Sequence, residues 1–260
     1  MKIFKAICHI FCVIGLTALS QLGGIAYAVS LITPKHSKRW RVSKFVGAYC
    51  VLWIMAMLTA PIFGRVPLAC APGSSSNLKM QSPIYCVLNR HYVTPELKTV
   101  AFNLADHVNM KYPDTKTLAL DANFPFIDGV LLFPHLSHDD GRKLDLAYYY
   151  SKNGKTRSPI GYWAFEGPLN HEYQPCQSLP RPNLRWEMKW LTPLHKDMKF
   201  DPARTKTALS WLAGEGKRQG VTKVFIEPHL ARRIGVSGEV IRFQGCHAAR
   251  HDDHIHFQIR

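Results

Sequence analysis

His135-Leu136-Ser137-His138-Asp139-Asp140-Gly141-Arg142-Lys143-Leu144-Asp145, taken together with His251-Asp252-Asp253-His254-Ile255-His256, is the part of the chain around which the rest is organised. Six residues separate His138 from Asp145, with Gly141 among them, so the chain can turn out of a loop and present a carboxylate at the start of the apolar run 144–150. The second stretch is polar and then alternating. If it is a strand, His254 and His256 project from one face about 6.5–7 Å apart. Two neighbouring imidazoles, joined by a His and an Asp from an earlier strand, can supply three metal ligands and one unliganded His beside an open position.

The combined pattern resembles the metallopeptidase superfamily that contains lysostaphin-like enzymes and D-Ala-D-Ala peptidases, and within it the penicillin-insensitive murein endopeptidases. The family pattern H-x-x-H-x-x-G-x-x-x-D, then H-x-x-H-x-H, is met by His135, His138, Gly141 and Asp145, then His251, His254 and His256. The resemblance covers roughly residues 80–260, and Lys143 stands where some relatives carry a small residue. It implies Zn2+ held by His138, Asp145 and His256, with the neighbouring histidines serving chemistry or support. It also implies a hydrolase acting on cell-wall peptidoglycan, by endopeptidase cleavage of D-alanyl cross-links.

Within that expectation His254, on the strand face of His256, is the leading general base, and His251 is the alternative base or the group that stabilises an oxyanion. Asp253 is a third contender for the base, although a regular strand would turn it to the other side. His135 is expected to support or orient rather than to ligate. Arg142 or Arg250 would be needed for a terminal carboxylate if the protein were instead a D,D-carboxypeptidase. A wall-binding module without catalysis is the remaining alternative. A lone H-x-H among 13 His is a weak signal, and the pairing of both clusters is what strengthens it. Asp252 and Asp253 beside it would be costly in an apolar core unless paired, whereas liganding imidazoles commonly donate their second N–H to a carboxylate.

The first 64 residues hold seven Lys or Arg and no Asp or Glu. Residues 7–32 and 46–64 are long and apolar enough to cross a bilayer as helices. Lys35, Lys38, Arg39, Arg41 and Lys44 lie between them and place that loop in the cytoplasm, so that the N-terminus and everything after Arg65 face outward. The expected location is thus the cytoplasmic (inner) membrane, with the catalytic domain on the periplasmic or extracellular side. A cleaved signal peptide ending at Ala26-Tyr27-Ala28 is the rival reading; it would leave residues 46–64 as a stop-transfer helix and the domain inside.

The remainder carries 26 basic against 18 acidic side chains, a surplus of +8 that suits an anionic polymer. No compact basic motif interleaved with aromatics appears, so nucleic acid is not the expected partner. Residues 1–65 are read as the membrane anchor, 66–83 as a Pro/Gly/Ser-rich linker and 84–260 as the zinc domain. Cys70, Cys86, Cys176 and Cys246 form an even set outside the apolar runs and in an oxidising compartment allow three disulfide pairings, among which the sequence does not choose.

Thr94-Pro95-Glu96 begins a helix with Leu97, Val100, Ala101, Leu104, Ala105 and Val108 on one face, limited by Pro113. Residues 205–219 are a second helix ended by Gly220. Strands are expected at 130–133, delivering His135 and His138, and at 144–150, 221–226, 239–243 and 255–259. Residues 157–200 form an irregular, aromatic-rich excursion in which Tyr162, Trp163 and Phe165 either stack on a sugar or fill a small core. Helices and strands do not alternate regularly. The expected fold is α+β, a small antiparallel sheet with flanking helices and long loops, preceded by a two-helix transmembrane hairpin.

Overall fold

In the computed structural model, which describes residues 2–32, 38–70, 75–130, 132–133, 135–152, 155–156, 162, 166–176, 185, 190, 193 and 197–260, the first apolar run does not form one helix. Helix α1 (Lys2–Ser20) ends where Gln21 takes a positive φ, and α2 (Gly23–Ile32) folds back along it. The Ser20 hydroxyl accepts from the Gly23 amide at 2.9 Å. Gly23 and Gly24 let the two helices close: a Cβ on Gly23 would meet the Leu16 carbonyl oxygen at 2.8 Å, and one on Gly24 would overlap the Thr17 hydroxyl. His9 and Tyr27 hydrogen-bond across the pair at 2.8 Å.

Helix α3 (Lys38–Thr59) packs on α2 and runs on through a 3-10 turn, Ala60–Phe63. Among the described residues two helices are therefore long and apolar enough to span a membrane, Lys2–Ser20 with 19 residues and Arg39–Phe63 with 25. The expected first span, 7–32, is replaced by α1 plus a return helix of 10 residues, too short to span. Lys2 and Lys5 then start α1 as Arg39, Arg41 and Lys44 start α3, whereas the turn after α1 and the end of α3 both meet the following domain: the Phe126 amide donates to the Gln21 side chain, and the Phe63 and Phe126 rings touch. Lys35 lies outside the described residues.

The following elements are β1 (Val66–Pro67), β2 (Leu78–Met80), α4 (Pro83–Val87), β3 (Tyr92–Val93), α5 (Pro95–Lys111), β4 (Thr117–Ala119), β5 (Lys143–Ala147), β6 (Tyr150–Lys152), β7 (Lys155–Thr156) and β8 (Lys199–Phe200). Then come α6 (Pro202–Trp211), β9 (Val221–Phe225), α7 (Pro228–Ile234), β10 (Ile241–Arg242) and β11 (His254–Ile259). Six strands make the main sheet in the order β10-β9-β11-β5-β4-β2. Its centre is antiparallel as expected, but both edges, β10 on β9 and β2 on β4, pair in parallel. Stretch 66–83 is thus no free tether. Leu78 and Met80 are buried on either side of Lys79, the period of a half-buried strand, and Leu68 is buried as well. Residues 73–74, in its Gly-Ser part, lie outside the described residues.

Helix α5 forms as its spacing predicts. The Thr94 hydroxyl accepts from the Leu97 amide, Pro95 opens the first turn, and all six expected apolar positions are buried. The next long helix starts earlier than residue 205, because the Asp201 carboxylate caps the Arg204 amide at 2.9 Å, and it continues past α6 through a π-helical turn at Leu212–Gly216. The expected strand at 130–133 is not formed by the described residues Val130, Leu132 and Phe133; Leu132 is buried and Phe133 is 60% exposed, and no described strand pairs with them. Residues 144–150 divide between β5 and β6. Strand alternation sorts the sheet into two faces. Leu144, Leu146, Ile255, Phe257 and Val224 join the helix-covered core, while Asp145, His254, His256 and Phe225 point to the other side.

Candidate metal centre

The register of β5 and β11 sets His256 directly opposite Asp145. Directly opposed strand residues on one face hold their side chains within contact, and here His256 Nδ1 lies 2.7 Å from Asp145 Oδ1. His138 arrives from the loop after β4. Its Nδ1 faces the Ala122 carbonyl oxygen at 2.8 Å, so that nitrogen carries the proton and donates. The opposite nitrogen, Nε2, is thereby aimed at His256 Nδ1 and Asp145 Oδ1, each 3.2 Å away. The three ligand atoms lie within 4.8 Å of one another, and all three residues are buried.

Two imidazole nitrogens and a carboxylate oxygen that converge in a buried space form a donor set that can hold a metal ion. Burial opposes charge on His138, yet Asp145 outweighs it and raises the imidazole pKa. Burial likewise opposes charge on Asp145, and His138, His254 and His256 outweigh it, holding the carboxylate well below its usual range. A set of two N and one O donors fits a divalent ion of the zinc type. The other His/Cys grouping among the described residues, Cys70, Cys86 and His91, has its two sulfurs joined to each other.

Around this core the remaining histidines take distinct places. His254 Nε2 lies 3.8 Å from Asp145 Oδ2, and its Nδ1 is 2.6 Å from Asp253 Oδ1. Burial pushes the His254 imidazole down to about 3, and burial together with Asp252 and Asp145 pushes the Asp253 carboxyl well up. Asp253 does not face away, as a regular strand would require, because β11 begins one residue later. His251 lies tilted against His254 and Phe225, with ring centroids 4.8 and 5.4 Å away, and burial plus the neighbouring His254 and His256 keep it neutral. Its backbone is clamped by Glu227, which accepts from the His251 amide and returns its own amide to the His251 carbonyl. His135 sits at the edge: its Nδ1 is 2.8 Å from Asp121 Oδ2 and 3.8 Å from Asp145 Oδ2.

The two arginines do not join the cluster. Arg142 is exposed, and its amide caps onto Asp140, at the end of β5 where the Arg142 carbonyl meets Ile259. The Arg250 guanidinium grips the buried Asp252 carboxylate through two nitrogens. Gly141 is required where it stands: φ is +76°, and a Cβ there would overlap the Arg65 guanidinium, which is itself paired with Asp128. Lys143 bridges Asp139 and Asp140 at 2.8 and 2.9 Å and closes the loop that carries His138.

Four contributors carry no readable motif. Asp121 is held by Arg90 and in turn holds His135, while Ala122 fixes His138. The Tyr162 phenol, kept protonated because burial and the Asp121 and Asp145 carboxylates raise its pKa, donates to Asp145 Oδ2 at 2.7 Å and accepts from the Asp121 amide. Tyr162 thus supports Asp145 through its hydroxyl, a role beyond the two expected of it; Trp163 and Phe165 lie outside the described residues. Glu227 is the fourth. The only local signal for any of them was the apolar run ending before Asp121.

Compared with models of known protein families and with curated proteins, the chain matches none. Two disulfides form, Cys70–Cys86 and Cys176–Cys246, which selects one of the three pairings; Cys8, Cys12 and Cys50 are free.

Proposed function

We propose that the protein is a zinc-dependent endopeptidase of the cell wall, cleaving peptide cross-links of peptidoglycan outside the cytoplasmic membrane. The observation that carries the reading is the convergence of His138 Nε2, Asp145 Oδ1 and His256 Nδ1, with His254 and His251 beside them. When bound there, zinc lowers the pKa of a water toward neutrality and polarises a scissile carbonyl.

The chain's own groups do the rest. His254, neutral through burial, offers Nε2 on the side of Asp145, while Asp253 holds its Nδ1 and fixes the ring. From there it takes the proton of the attacking water and passes it to the departing amine as the C–N bond breaks. His251 stands on the same side to meet the developing oxyanion. Tyr162 and Ala122 orient Asp145 and His138 so that the donor set needs little rearrangement.

Peptidoglycan is favoured by the family resemblance, the basic surplus and the two disulfides, which suit an oxidising space beyond the membrane. The carboxypeptidase alternative needs a cation for a terminal carboxylate. Arg250 is committed to Asp252, and Arg142 lies exposed at the far end of β5, so the endopeptidase is preferred. Mass spectrometry of purified cross-linked dimeric and monomeric pentapeptide muropeptides, incubated with the full chain and zinc, tests it. The dimer should be cut to monomers. Release of terminal D-alanine from the monomer with the dimer intact would favour the carboxypeptidase.

A further inference from the structure

We infer that the domain is seated in the bilayer surface, with helix α4 and the loop that carries His135 and His138 against lipid, so that the candidate centre works on peptide lying close to the membrane. The inference rests on the reading of α1 and α3 as membrane helices. Its starting point is where the domain touches α3. The Tyr49 hydroxyl donates to the Val87 carbonyl at 2.6 Å, and the Trp53 indole donates to the Cys86 carbonyl at 2.9 Å. Asn89 donates back to the Tyr49 hydroxyl. Tyr49, Trp53, Ala56 and Ala60 recur at helical spacing, and both alanines are fully buried.

These contacts lie well before the end of the helix. At about 1.5 Å per residue, Trp53 and Tyr49 stand about 15–20 Å before Phe63 along α3. The domain therefore packs beside the apolar helix and does not hang from its tip. Whatever surrounds the outer face of α3 at that level, where Val51, Ile54 and Leu58 are more than half exposed, also meets α4. Polar Tyr and Trp groups in such a place would be unsatisfied in lipid, and each has found a partner in the domain.

The domain surface at that side is apolar in a way that water does not explain. Ile84 and Val87 on α4 are exposed at 57% and 55%. Ile127, Phe133 and Leu136, in the loop that also brings His135 and His138, are exposed at 51–65%. The two segments are linked through buried groups: the Arg90 amide donates to the Tyr85 carbonyl, and the Arg90 side chain holds Asp121, which holds His135. The same loop reaches the membrane helices through Phe126, which contacts Gln21 and Phe63. Exposed apolar residues on segments packed against helices of membrane length point to a membrane-facing surface.

The test uses the full chain in lipid nanodiscs, with Cys8, Cys12 and Cys50 replaced by Ser and one new cysteine carrying an environment-sensitive fluorophore. Labels go at Phe133, at Leu136, at Leu58 on α3 and at Met110, an exposed apolar residue of α5. Lipids brominated on their acyl chains should quench the Phe133 and Leu136 labels as they quench Leu58, with Met110 unchanged. Quenching at Leu58 without quenching at Phe133 and Leu136 overturns the seating while the membrane helices stand, whether that surface is then covered by a second copy or by water. Absence of quenching at Leu58 as well overturns both. None of these readings depends on zinc or on hydrolysis.

Discussion

Asp145→Asn is the sharpest perturbation of the candidate centre, because it keeps the side chain's shape and removes only its charge. The native carboxylate lies within 2.7 Å of both His256 Nδ1 and the Tyr162 hydroxyl, and 3.2 Å from His138 Nε2. The amide oxygen can still accept from Tyr162, so the fold should persist. What is lost is the anionic member of a three-donor site that has no spare. A ligand present at about 1,000 times its Kd stabilises the folded state by about 4 kcal/mol. For a domain of about 200 residues each kcal/mol moves Tm by about 2–4 °C, so saturating zinc should raise the wild-type Tm by about 8–16 °C over a chelator-treated sample. In Asp145→Asn the rise should be nearly abolished. The assay is thermal unfolding of both proteins in the same detergent with chelator and with added zinc. A zinc-induced rise in Asp145→Asn equal to that of the wild type would refute the assignment of Asp145 to the ligand set.

Three further outcomes are expected. His254→Ala should keep its zinc and lose roughly 10²–10⁴-fold in turnover, the usual scale for a positioned acid–base group, and loss of metal in that variant, or greater loss in His251→Ala or Asp253→Asn with metal retained, would move the base elsewhere. His91 is fully buried, and burial lowers its pKa to about 4, so the folded protein resists a proton that the unfolded chain accepts near 6.5. Its contribution is complete above pH 6.5 and is lost as pH falls toward 4, so denaturant titrations should show wild type losing about 3 kcal/mol more than His91→Leu across that window, and parallel curves would contradict it. A reporter active only outside the cytoplasm should work when fused after Gly64 and fail both at Ser37 and at the N-terminus; activity at the N-terminus would restore a single first span over residues 7–32.

Much of the centre could be read from local sequence. Asp145, His254 and His256 reach one place because strand alternation and cross-strand register follow from the apolar residues between them, Leu144, Leu146, Ile255 and Phe257, whereas His138 is brought in by a loop. Helix α5 was equally legible, from its Thr cap and six buried positions. The partners that tune the centre were not. Asp121, Tyr162 and Glu227 meet it across 14–24 residues of chain, and nothing in their own neighbourhoods marks them as partners of the centre. Strand β2 was hidden because its three residues follow a Gly-Ser stretch, and it is ordered by pairing with β4 rather than by its own propensity. The break after α1 depends on Gln21 adopting a conformation that its residue type seldom favours, set by the close packing that Gly23 and Gly24 allow.

X-ray absorption at the zinc edge of the full chain, loaded with one equivalent of zinc, tests the central claim most directly. The account predicts two imidazoles and further light-atom ligands at about 2.0–2.2 Å, with one imidazole lost in His256→Ala and the pattern unchanged in His254→Ala. Sulfur in the first shell, or an imidazole lost in His254→Ala and kept in His256→Ala, would contradict it.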